Sequence, residues 1–194
     1  MQNSKPKSIS GMECGFDCPL SEDNIEMALS GTPKWLDLML LISLVITIAY
    51  PLHRYSADLV LFSFGAGAIL SSPLICLHEL SHALVLKILN KDTPIVHLFT
   101  TKPRCIPQKP IPLSVLKLDL IAPLWILGVL SVLLFIFIII DTDKSKLLTL
   151  VFILIFQVWG SAKDLYWFYK IKNIPNDRYV ICDGLSAIIY KNSN

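Results

Sequence analysis

The sequence predicts an all-α membrane protein of about four transmembrane helices, with a kinked second helix that carries a paired-histidine motif and a small carboxyl-terminal cytosolic hairpin or interfacial segment. Three observations lead there. Of the 194 residues 54% are hydrophobic, and mean hydropathy is +0.60, more than a soluble core of this size requires. The excess is gathered in long blocks, and about 18 apolar residues in a row are enough to cross a bilayer as helix. Short polar turns and one proline-rich stretch separate the blocks.

Residues 1–34 read as a polar amino-terminal tail. Both charge signs precede any apolar run, which is not the layout of a cleavable signal peptide, so the first span is expected to stay attached. That span is Trp35 to Leu52, about 27 Å of helix, with Trp35 and Tyr50 suited to the two interfaces. After a turn at His53 to Ser56, the run Ala57 to Asn90 would make a helix of roughly 50 Å, too long for one straight crossing. Gly65 and Gly67 loosen it, and Ser71-Ser72-Pro73 offers an N-cap followed by proline at a first helical position. A kinked single crossing that continues into the cytosolic interface is expected, with a re-entrant segment as the alternative.

Lys91 to Pro112 holds Pro94, Pro103, Pro107, Pro110 and Pro112, a composition that breaks helices and favours an extended or hairpin-like loop. Pro112 to Ile140 is the third span, with Lys117 and Asp119 near its start and Pro123 as a kink. Asp141 to Lys146 is a polar turn. Leu147 to Tyr169 is the fourth span, closing on Tyr166, Trp167, Phe168 and Tyr169, an aromatic cluster that suits an interface. Residues 35–169 thus form the membrane domain. In the tail, 170–194, two apolar runs flank Asp183-Gly184 and read as a small hairpin.

Charge sets orientation and removes one class of partner. With a cytosolic amino terminus, Lys5, Lys7, Lys34, Lys91, Lys102, Arg104, Lys109, Lys170, Lys172, Arg178 and Lys191 lie inside, against Arg54, Lys144 and Lys146 outside. The positive-inside rule therefore places both termini, and the carboxyl end of the motif helix, in the cytosol. A formal charge of only +2, with no basic stripe, argues against nucleic acid as a partner. The lipid bilayer and a membrane protein or peptide substrate are the partners expected. Five scattered cysteines do not read as a disulfide framework. Cys14 and Cys18 lie four residues apart beside acids, and a plain polar tail competes there with a small metal or redox site.

The chemistry concentrates in His78-Glu79-Leu80-Ser81-His82. Two imidazoles one helical turn apart share a face and can hold one zinc ion, while Glu79 beside them can take a proton from water. Such polar groups in an apolar run are costly without a purpose. A catalytic zinc needs a third protein ligand, and Asp164, in Gly160-Ser161-Ala162-Lys163-Asp164, is the first candidate, because the small residues would admit another helix closely. Its competing role is an interfacial pair with Lys163 or Lys170. Asp119 is the second candidate, against an ion pair with Lys117. His97 could contact substrate or stand in solvent, and Asp183 reads first as turn chemistry. The reaction implied is metal-assisted peptide hydrolysis, with Glu79 as general base.

Several stretches also carry a resemblance: Cys76-Leu77-His78-Glu79-Leu80-Ser81-His82-Ala83, Ala122-Pro123, Gly160 through Tyr166, and Asp183-Gly184 with Tyr190. From about Val60 to Tyr190 the chain resembles the bacterial membrane family of putative zincin peptidases, long listed as a domain of unknown function and related in layout to site-2 proteases. The resemblance implies a metalloprotease of the bacterial cytoplasmic membrane, with His78, His82 and Asp164 as zinc ligands and Glu79 as general base. Met1 to Thr32 has no counterpart in that pattern, and the Leu-Asp-Gly motif of site-2 proteases stands here as Lys163-Asp164-Leu165. Two other classes compete: a non-catalytic regulatory, immunity-type or binding protein that retains a metal site, and a transporter, which the small number of spans and the lack of an internal repeat disfavour.

Overall fold

The computed structural model describes residues 25–98, 103–140, 143–183 and 186–191; the pair Cys14 and Cys18 lies outside them. The chain runs β1 (Ile25–Ser30), α1 (Lys34–Arg54), α2 (Ala57–Leu89), β2 (Ile95–His97), β3 (Arg104–Ile106), β4 (Ile111–Pro112), α3 (Leu113–Ile121), α4 (Leu124–Ile140), α5 (Lys144–Ile171), β5 (Arg178–Cys182) and β6 (Ser186–Lys191). Four helical stretches, with α3 and α4 counted as one, are long and apolar enough to cross a membrane. Their most apolar windows are only 6 to 33% buried within the protein. Large apolar side chains such as Ile46, Phe62, Ile69, Phe135 and Ile140 face outward, the exterior expected of helices solvated by lipid.

Local chemistry explains where the helices begin. Ser56 caps α2 by accepting from Leu59 N at 3.4 Å, and Asp143 caps α5 by accepting from Ser145 N and Lys146 N. Pro123 separates α3 from α4, as its missing N–H predicts, with one-turn bonds from Ala122 N to Asp119 O and from Ile126 N to Pro123 O. The helix restart expected at Ser71-Ser72-Pro73 does not occur. Helix α2 runs unbroken through Pro73, and Ser71 Oγ donates back to Ala68 O at 2.8 Å instead of capping a new turn.

Helices α2 and α5 form the central pair, and Gly67 makes their closeness possible. A Cβ added there would stand 2.7 Å from Phe152 Cβ. Gly160, by contrast, faces open space, whereas its neighbours Ser161 and Ala162 are buried. Across the same interface Gln157 Nε2 donates to Ser71 O at 3.3 Å. Trp125 Nε1 ties α4 to α2 through Ser81 Oγ at 2.9 Å.

The expectation of an all-α chain is corrected by a four-stranded antiparallel sheet of order β1-β6-β5-β4, accompanied by a separate β2-β3 hairpin. The predicted carboxyl-terminal hairpin is the pair β5-β6, with Tyr179 opposite Tyr190. Asp183 does turn chemistry, accepting from Ser186 N at 2.6 Å and from Ser186 Oγ at 3.0 Å. The remainder of the sheet depends on distant partners. Ile25–Ser30, read from composition as tail, pairs with β6 in a register that sets Ser30 opposite Ser186. Gly31, at φ +49, supplies the left-handed turn from β1 toward α1, and Trp167 Nε1 donates to Gly31 O at 3.4 Å.

The inner face of the sheet closes one end of the helix bundle. Leu29, Ile111, Val180, Ala187 and Ile189 are buried in one cluster with Leu86, Leu116, Trp167 and Ile171. Because α2 and α5 both run toward the sheet and α3 leads away from it, residues at equal distances from those helix ends lie level. His82 stands seven residues before Leu89, Asp164 seven before Ile171, and Asp119 six after Leu113, each about 10 Å inside the bundle.

Candidate metal centre

The three polar residues at that level converge. His78 and His82, one turn apart on α2, turn their Nε2 atoms toward each other at 3.3 Å. Asp164 on α5 brings Oδ2 to 2.9 Å from His78 Nε2 and 3.5 Å from His82 Nε2. All three residues are buried, and their ligand atoms lie within 4.8 Å of one another. Two nitrogens and an oxygen bound at 2.0 to 2.2 Å in tetrahedral geometry would stand about 3.3 to 3.6 Å apart. Two of the three separations match that spacing, and the third is that of a direct hydrogen bond. The donor set therefore fits a divalent metal of zinc's preference.

Glu79 is half-buried and lines the same cavity as the two histidines. Among the described residues no hydrogen bond or ion pair engages its carboxylate. The cavity, of about 210 Å³, lies between the motif and the β2-β3 hairpin, whose Arg104 and Cys105 form part of its wall. Burial, with neighbouring carboxylates, pushes the Cys105 thiol well above its usual range, so it faces the cavity neutral rather than as a thiolate ligand.

The competing roles weighed for the acids resolve differently from one another. Asp164 pairs with neither neighbouring lysine: Lys163 Nζ lies over the Trp167 ring at 4.7 Å and Lys170 Nζ over Tyr166 at 5.6 Å. Asp119 pairs with His82 Nδ1, at 3.2 Å, instead of Lys117. Lys117 Nζ donates to Ile174 O at 2.7 Å and to Asn176 Oδ1 at 2.8 Å. His97 sits on β2 opposite Arg104, and it is the cross-strand partner, not the histidine, that reaches the cavity. Arg104, Cys105, Lys163 and Cys182 all line the cavity and escaped the sequence reading. For Lys163 there was a signal, since it precedes Asp164; the others arrive through strand pairing.

Asp92, at the start of the 91–110 loop, is buried. Its carboxylate accepts from Thr93 N at 2.7 Å, Gln108 N at 2.9 Å and Lys109 N at 3.3 Å, which holds the start and end of the 91–110 loop together. That closure carries β3 over the motif helix.

No curated protein and no solved structure matches the chain. Residues 72–179 match the family described as putative zincin peptidase, a stretch that contains both motif histidines, Glu79, Asp119 and Asp164. More than half of the sequence lies inside that match, and the convergence of its histidines and acids on one point agrees with it: the chain belongs to the putative zincin peptidase family.

Proposed function

We propose that the chain is a membrane-embedded zinc metallopeptidase, in which His78, His82 and Asp164 hold the metal and Glu79 is the general base. The observation that carries this reading is the convergence of three buried ligand atoms beside a carboxylate without a partner. A zinc ion held by these residues would lower the pKa of a water molecule and polarise a peptide carbonyl. In this reading Glu79 would take the proton from the attacking water and deliver it to the leaving amine. Arg104 and Lys163 bring positive charge to the cavity wall, where it helps to balance Glu79 and Asp164. The apolar walls supplied by Leu86, Leu116 and Leu120 limit bulk water.

The depth of the site, about 10 Å from the sheet end of the helices, suits cleavage of a membrane protein or peptide near the bilayer surface. The sheet and the β2-β3 hairpin lie at one end of the helices, and the distribution of lysine and arginine favours the cytosol of a bacterial membrane for that end. The test is cleavage of a panel of transmembrane peptides by the purified chain in detergent, compared with Glu79→Gln. Cleavage by the wild type that the variant loses supports the proposal; a zinc-loaded wild type whose cellular role survives intact in Glu79→Gln would assign the chain to a non-catalytic role.

A further inference from the structure

His82 directs Nε2 toward His78 and Asp164, which leaves Nδ1 on the other side of the ring. Asp119 Oδ1 stands there at 3.2 Å, and both side chains are 9% exposed. The contact is off-axis for a regular hydrogen bond, and among the described residues neither Nδ1 nor Oδ1 has another partner. A buried carboxylate beside a buried ring nitrogen, each with only the other to face, is a costly arrangement for a residue of no consequence.

A neutral imidazole carries one proton, on one nitrogen or the other. With the proton on Nδ1, toward Asp119, the Nε2 lone pair is free on the side of the donor triangle; with the proton on Nε2, an N–H would point into that triangle and block it. We propose that Asp119 is the positioning residue of His82, fixing its tautomer and ring orientation for the metal. The inference rests on the reading of His82 as a metal ligand. Asp119 is not itself a ligand, because the two ring nitrogens diverge and its carboxylate lies outside the cluster of His78, His82 and Asp164. On the same helix, Lys117 Nζ bonds Ile174 O and Asn176 Oδ1 just beyond α5 and makes no contact with His82.

The experiment is zinc competition against a chelator, on the purified full chain in detergent, with circular dichroism to check folding. Visible spectra of the Co2+-substituted protein report the geometry at the metal independently of activity. Asp119→Ala is expected to weaken zinc binding about 10- to 100-fold and to shift the Co2+ bands. Asp119→Asn, whose amide oxygen still accepts from Nδ1–H, should fall between Ala and wild type. Lys117→Ala, which loosens α3 without touching His82, should keep the wild-type spectrum. Wild-type affinity and spectrum in Asp119→Ala overturn the proposal, and so does an equal loss in Lys117→Ala, which would assign the effect to helix packing. Should Asp119→Ala not fold, Asp119→Asn against Lys117→Ala decides by the same readouts. Zinc-free wild type would instead overturn the metal reading underneath, a result visible before any variant is compared.

Discussion

The proposed function gives Glu79 and the two histidines separable duties, and substitution should separate them. Glu79→Gln keeps the size of the side chain and removes its basicity, so zinc content should hold while peptide cleavage falls by about 10²- to 10⁴-fold. Assay of both quantities on one preparation checks this. His78 and His82 were legible in the sequence because i, i+4 spacing fixes their common face whatever the rest of the fold does. Asp164 was legible from its place near the end of an apolar run. The pairing of Asp119 was not, since its partner His82 lies on another helix, 37 residues earlier in the chain.

At the scale of elements, the centre exists because α2 and α5 approach closely and in the right axial register. Gly67→Ala would place a methyl 2.7 Å from Phe152 Cβ and 3.3 Å from Thr149 O, so the helices must separate. Overpacking of this kind costs about 1 to 3 kcal/mol, and thermal unfolding in detergent should show a lower midpoint with weaker zinc retention. A second element-level device is Asp92. Asp92→Ala leaves three backbone N–H groups without their acceptor at a cost of about 1 to 3 kcal/mol. Limited proteolysis within 91–110 should then be faster than in the wild type; an unchanged rate would mean that β3 is held over the cavity by other contacts. Helix positions could be read from the sequence because an apolar block carries its own length. The β5-β6 hairpin could be read too, but β1 could not, because it has one buried residue, Leu29, and its partner is the distant β6.

For the whole molecule, the apolar exterior and the sheet at one end define what environment the site needs. The chain should stay with membranes through an alkaline wash and be released by detergent, whereas release without detergent would contradict a four-span insertion. A cysteine placed beside the 91–110 loop should react with a membrane-impermeant thiol reagent only from the cytosolic side. The sheet joins residues 25–30 to 186–191 and so closes a fold whose sequence reads as a helical core with two loose ends. Sequence alone concealed that closure because the pairing is highly non-local, joining Ile25 to Tyr190 and Ser30 to Ser186.

Bound zinc is the claim on which the others depend, and metal analysis of purified protein tests it most directly. The account predicts about one equivalent of zinc in the wild type and in Glu79→Gln, and its loss in His78→Ala, His82→Ala and Asp164→Asn with helical content unchanged. A folded wild type without zinc, or zinc retained at full stoichiometry when His82 or Asp164 is replaced, would contradict it.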